Sequence, residues 1–289
     1  MKIVTILFFV VTFIAKSNGR TTRIIGGKLS KPGDVPSVVA IVTLSMTQFC
    51  GGTLITQKHV LSAAHCMVYH KNPKKVLVVG SKIVLPKRRT KGTFEVKKII
   101  NHPGFNRKSF RNDFAILELL PKLKMSRLLK VAHMVAKRPP AGTTCEIAGW
   151  GYADEDADEP STKLLIAQIG IRPDSDCSKP PVNSNPKYDI CAGVKSGAKD
   201  ACYGDSGGPL LCKGKLAGVI SFGIGCGRKG LFGVYADVIV AKKWILSIVS
   251  NKGERSLRPK RRASKVSCLY GRGPVLQTMI FLKVVKMSL

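Results

Sequence analysis

Hydrophobic positions along this chain fall into short runs, each closed by residues that turn the backbone. The runs at 38–44, 75–79, 94–100, 115–119, 164–171 and 216–222 are rich in Val, Ile, Leu and Phe and are separated by Gly, Pro, Asn and Asp. None carries a recurring helical period, so the pattern predicts an all-β barrel or sandwich. One stretch reads differently. Over 237–249, Val238, Ala241, Trp244, Ile245 and Ile248 recur near helical spacing, which predicts a helix that closes the fold.

The two ends stand outside this pattern. Residues 1–19 combine Lys2, an apolar stretch and the small residues Ser17, Asn18 and Gly19, the layout of a signal peptide. The apolar stretch is too short for an ordinary membrane span, so a secreted, extracellular protein with no transmembrane segment is expected. At the other end, 253–289 opens with Arg258-Pro259-Lys260-Arg261-Arg262, carries Cys268 and finishes in an apolar segment broken by Lys283 and Lys286. The sequence leaves the role of this basic extension open.

Composition sharpens the picture in three ways. The chain has 289 residues, 44% of them hydrophobic, enough for a large domain or two small ones with a sizeable core. Nine cysteines are scattered instead of clustered at metal-ligand spacing, which behind an export signal reads as a disulfide framework. With 48 basic and 17 acidic residues the net charge is +31, a field that attracts polyanions such as sulfated glycans. No nucleic-acid module accompanies it, so no specific nucleic-acid partner is expected.

Three stretches carry candidate chemistry. Residues 200–209 read Asp-Ala-Cys-Tyr-Gly-Asp-Ser-Gly-Gly-Pro, with Ser206 among glycines. A serine hydroxyl reacts only with a base to take its proton, a group to orient that base, and donors for the oxyanion. The N–H groups of Gly204 and Ser206 are candidates for the last. Ser62-Ala63-Ala64-His65-Cys66 supplies the imidazole, and Asn112-Asp113-Phe114 places a carboxylate at the mouth of an apolar run. The order His, Asp, Ser is that of chymotrypsin-type enzymes.

These motifs together resemble the trypsin/chymotrypsin family of serine proteases, over about 24–252. The resemblance implies two packed antiparallel six-stranded β-barrels with a C-terminal helix, the first over about 24–131 and the second over about 132–252. It implies catalysis by His65, Asp113 and Ser206, with Ser221 hydrogen-bonded to the aspartate. It also implies disulfides Cys50–Cys66, Cys145–Cys212, Cys177–Cys191 and Cys202–Cys226. Residues 20–23 resemble an activation propeptide. Cleavage after Arg23 would free the amine of Ile24 to pair with Asp205, so a zymogen is expected, activated by a trypsin-like protease or by itself.

Specificity follows from the same resemblance. Asp200 matches the carboxylate at the base of the primary pocket, and Gly223 and Gly233 match wall positions that stay small. Ala201 stands where pancreatic trypsin has serine, which favours arginine over lysine before the scissile bond. Phe222 replaces the more usual tryptophan, and Phe110 crowds the neighbouring subsite. Substrates are therefore proteins or peptides with Arg or Lys at that position, and serine protease inhibitors are expected partners. No cofactor or metal is implied. The segment matching the calcium loop of trypsins, 81–92, has no carboxylate, and its Lys and Arg resemble the anion-binding exosite of thrombin-like members. Basic clusters at 71–75, 97–98 and 107–111 extend that surface. Residues 154–159 hold five acids in six positions and read as a solvated loop bordering the cleft. The competing expectation is a catalytically inactive homologue that only binds polyanions.

Overall fold

The computed structural model describes residues 24–80, 82–152 and 155–250. Residues 1–19, expected to be a signal peptide, residues 20–23 and the 253–289 extension with Cys268 lie outside the described residues. Thirteen strands and two α-helices make up the described fold.

The first barrel is built from β2 (Val38–Thr43), β3 (Gln48–Thr56), β4 (His59–Ser62), β5 (Val76–Gly80), β6 (Thr93–Asn101) and β7 (Ala115–Leu120). These strands close antiparallel in the order β2-β3-β4-β7-β6-β5. A closed sheet leaves no edge to cap, which suits strands as apolar as Val-Val-Ala-Ile-Val in β2. The alternation in β6 breaks at Lys97-Lys98, where a bulge between Val96 and Lys98 turns both lysines outward.

The second barrel comprises β8 (Thr144–Gly149), β9 (Leu165–Ile171), β10 (Asp189–Gly193), β11 (Pro209–Cys212), β12 (Lys215–Phe222) and β13 (Gly233–Asp237). They run β9-β10-β13-β12-β11-β8, and pairing of β8 with β9 closes the ring. The short β1 (Lys28–Leu29) precedes the first barrel in sequence but pairs with β9 of the second. The chain ends its described part in α2 (Val238–Val249), capped by Asp237, whose Oδ1 accepts the Ile239 N–H at 2.9 Å. Val238, Ala241 and Ile245 are the face it buries.

Contact between the barrels positions the site. The Gly51 N–H of β3 donates to the Ser206 carbonyl at 2.8 Å, so the serine loop of one barrel is fastened to the other. Gly207 holds a φ of +81°, and a Cβ there would sit 2.2 Å from Ser62 Oγ. Only glycine fits so close an approach at that backbone angle. Four disulfides are formed: Cys50–Cys66, Cys145–Cys212, Cys177–Cys191 and Cys202–Cys226.

Candidate active site

β4 carries the buried Ala63 into a single helical turn, α1 (Ala64–Met67), and that turn presents His65. Its neighbour Cys66 is tied to Cys50 on β3, so the turn is held at both ends. Asp113 lies just before β7 and is wholly buried. An isolated buried carboxylate is costly, and here three donors compensate it. The His65 backbone N–H reaches Oδ1 at 2.8 Å, while His65 Nδ1 and Ser221 Oγ reach Oδ2 at 2.7 and 2.6 Å. An ionised carboxylate only accepts, so Nδ1 carries the proton and Nε2 offers its lone pair to the cleft.

Ser206 lines the same cleft as His65, a cavity of about 240 Å³. No hydrogen bond joins its hydroxyl to the imidazole in this structure; such contacts commonly tighten only when substrate arrives. Beside it, Asp205 is buried to 1% exposure. It accepts the N–H groups of Gly151 at 2.8 Å and Cys202 at 3.0 Å. Burial pushes its carboxyl up to about 7, against the pull of those two donors. No ion pair to Asp205 exists among the described residues. Ile24 is buried in the main core, and Ile25 forms a β-bridge with Asp200. Among the described residues the Gly204 and Ser206 N–H groups donate to no protein acceptor, and the Gly204 carbonyl accepts Gln48 Nε2 at 2.6 Å.

At the far end of the cleft Asp200 accepts the Ala201 N–H at 2.8 Å and the Gly227 N–H at 2.9 Å. Burial pushes its carboxyl up to about 6, opposed by the same two bonds. Gly223 and Gly233 both line the cavity, and a Cβ built on Gly223 would lie 3.9 Å from Gly233 Cα. The slot between them stays open because neither has a side chain. The hydroxyl of Tyr235, fully buried, has no hydrogen-bond partner, and a Cβ on Gly233 would sit 3.1 Å from it and 3.3 Å from Asp200 Oδ1. A carboxylate and an unsatisfied hydroxyl thus converge at the base of a narrow slot. Phe110 stands edge-on to His65, ring centroids 5.6 Å apart, and packs against Phe222 at 5.4 Å.

Several residues of this region are silent in the sequence. Tyr235 and Gln48 belong to strands and reveal themselves only through what the fold brings near. Glu155 corrects a reading: the acidic loop is not simply solvated there. Its carboxylate accepts the Cys226 N–H, and Arg228 clasps it through Nε at 3.0 Å and Nη2 at 2.7 Å. Cys226 lines the cleft, so Glu155 holds the outside of the pocket wall. Cys50, His65 and Cys66 also cluster, but both sulfurs are in a disulfide, which leaves the imidazole as the one ligand group.

Comparison with known proteins agrees with this architecture. The profile of the family described as Trypsin matches residues 24–245. The chain is 34% identical to Trypsin of Xenopus laevis over 229 residues, 79% of this chain and 91% of that one. It is 32% identical to Trypsin I-P1 of Gallus gallus over 253 residues, 87% of this chain and 100% of the other. Kallikrein-14 of Homo sapiens is 30% identical over 241 residues, 83% and 89% of the two chains. The chain belongs to the trypsin family of serine proteases.

Proposed function

We propose that this protein is a secreted endopeptidase, made as a zymogen, that cleaves after arginine and less readily after lysine. The observation that carries the specificity is the base of the slot, where Asp200 and the unpartnered Tyr235 hydroxyl face one another. A guanidinium brings several donors in a planar fork, enough for the carboxylate and the phenol oxygen together. An ammonium meets fewer partners there because Ala201 brings no hydroxyl.

In this reading His65 Nε2 takes the proton of Ser206 as its oxygen attacks the carbonyl, and the Gly204 and Ser206 N–H groups receive the oxyanion. The imidazolium then protonates the leaving amine, and water repeats both steps on the acyl-enzyme. Asp113 steadies the imidazolium throughout, itself held by Ser221. Asp205 supplies the reason for a zymogen. Its buried carboxyl lacks a cation, and the α-ammonium of Ile24, created by cleavage after Arg23, would provide one and fix the oxyanion loop. Turnover of arginyl, lysyl and phenylalanyl esters by protein cut after Arg23 tests the proposal. Preference for the arginyl ester supports it; equal or faster cleavage of the phenylalanyl ester sinks it.

Charge favours a second property, binding to a polyanion such as a sulfated glycan. Lys71, Lys74, Lys75, Lys87, Arg88 and Lys91 are exposed. Lys97 is partly neutralised, bonded to Glu118 at 3.1 Å. Elution from heparin at the same salt as a neutral protease of this family would remove this reading, since such binding is screened by salt. The inactive-homologue reading has less support, because the Asp113–His65–Ser221 network is intact. The four disulfides suit an oxidising compartment. No helix among the described residues is long and apolar enough to cross a membrane.

A further inference from the structure

Beyond Phe110 and Phe222, a second groove of about 710 Å³ continues the catalytic cleft, and both rings line the two spaces. One side is the segment before β7, with Lys108 and Arg111. The other is the loop inside the Cys177–Cys191 disulfide, with Ser178, Asn183 and Ser184. No carboxylate lines this groove. Lys108 and Arg111 are exposed and make no ion pair among the described residues. The Arg111 guanidinium lies 5.4 Å from the centre of the Tyr188 ring, which orders it without neutralising it. Behind the loop, Arg138 holds Asp174 at 2.7 Å. The buried Asp189 accepts the Asn185 N–H at 2.8 Å and feels the charges of Arg138 and, more weakly, Arg111, without an ion-pair contact to Arg111.

We propose that this groove is an acid-selecting subsite, in which Lys108 and Arg111 take a carboxylate side chain carried by the substrate on the acyl side of the scissile bond. This deepens the arginine reading and rests on it. A substrate with its arginine in the Asp200 slot leaves the slot along Phe222 and Gly223 and must pass Phe110. Extended chain advances about 3.4 Å per residue, so roughly two residues clear the aromatic pair and the next ones enter the groove. There a glutamate meets two cations backed by hydroxyl and amide donors, and a lysine meets like charge. Each exposed charge pair changes binding by a factor of about 1.4 to 5, so two together favour Glu over Gln by about twofold to 25-fold.

The same chemistry bears on activation. Read backwards from Arg23, the chain's own propeptide is Thr22, Thr21, Arg20, which offers the groove a cation. The protein is accordingly a several-fold poorer substrate for itself than a chain with an acid at that position would be, which favours a separate activating protease.

The test uses protein cut after Arg23 and peptides ending in Gly-Arg before a chromophore, with Glu, Gln or Lys three or four residues ahead of the bond. The expected order of kcat/KM is Glu, Gln, Lys, with the Glu-to-Gln ratio falling toward one in 0.5 M salt. In the double variant Lys108→Glu, Arg111→Glu the order reverses. Each ratio is taken within one preparation, so a general loss of activity cancels. Equal rates for all three peptides overturn the groove while leaving the arginine reading intact; failure to cut any of them overturns the arginine reading itself. Independently, Arg20→Glu in the uncut chain should speed self-cleavage several-fold, and no change there counts against the subsite.

Discussion

Asp113 and Asp205 are both sealed from solvent, 0% and 1% exposed, yet they stand in opposite conditions. Asp113 is met by an imidazole, a hydroxyl and a backbone N–H, and its charge is matched within the continuous chain. Asp205 has two backbone donors and no cation, and burial lifts its carboxyl to about 7. The difference teaches where control resides. On the proposed reading, the base His65 and its orienting Asp113 are assembled by folding alone, whereas the loop that carries Ser206 holds a charge still lacking its partner. On the proposed reading, cutting the chain supplies that partner.

The largest expected effect comes from spoiling the complete member of the pair. Asp113→Asn keeps the shape but presents an amide to His65 Nδ1, which turns the imidazole to the wrong tautomer. Such a swap lowers kcat by about 10⁴-fold in triad enzymes. Single-turnover acylation of an arginyl ester measures it, and a loss below tenfold would remove Asp113 from the mechanism.

Asp205→Asn acts on the incomplete member, with opposite signs in the two forms. In the uncut chain the folded carboxyl titrates at about 7, against 3.8 for an unperturbed aspartate. The folded state therefore holds a proton that the unfolded chain has released between those values. That stabilisation is fully present below about pH 4 and gone above about 7. Over this window the linkage amounts to roughly 4 kcal/mol. Asparagine escapes it but forfeits one backbone bond, so the uncut variant should be more stable than its parent by about 2 kcal/mol at pH 8. Urea unfolding at pH 4 and pH 8 checks the sign. The cut variant, unable to pair with the new amine, should lose 10²-fold or more in kcat/KM.

Asp200 lies between these extremes, a buried carboxylate with two donors and space in front of it. Its carboxyl stands at about 6, so below that pH it increasingly takes up a proton and can no longer grip a cation. The ratio of kcat/KM for arginyl over phenylalanyl substrates should fall by up to tenfold per pH unit below about 6. Taking the ratio removes the contribution of His65, which both substrates share. A flat ratio from pH 7 to 5 would place the discriminating anion elsewhere.

How much of this could be read from the sequence depends on how local the cause is. Short apolar runs marked six strands closely, because a strand's own alternation and its bounding turns sit side by side. β3, with Gly51-Gly52 inside it, and β11, starting at Pro209, were not singled out, since their pairing overrides what their residues prefer. His65, Asp113 and Ser206 stand out as candidates because each lies in a distinctive local motif, and Asp200 because its position matches the pocket carboxylate of trypsin-like enzymes; the structure brings all four to or beside one cleft. Tyr235 was not. An ordinary strand residue becomes a pocket group only when β13 pairs with β12 and turns its hydroxyl toward Asp200. The groove at Lys108 and Arg111 was visible only as charge, without the loop that faces it.

Glu155 gives the subtlest version of the contrast, a carboxylate at the surface whose partners are all in place. Arg228, then the Cys226 N–H, hold its carboxyl below the usual range, although it is only partly buried. The bonds join residues 71 and 73 positions apart, which is why no local pattern announces them. Surface ion pairs contribute little to stability, so Glu155→Gln should leave thermal unfolding almost unchanged. Its effect belongs to the pocket wall. With the carboxylate gone, Gly225 and Cys226 lose their outer brace, and KM for arginyl substrates should rise about twofold to fivefold while kcat holds. The parent enzyme should show the same rise in KM in high salt, and the variant should not. A change in kcat of equal size would place Glu155 in the chemistry instead of in the wall.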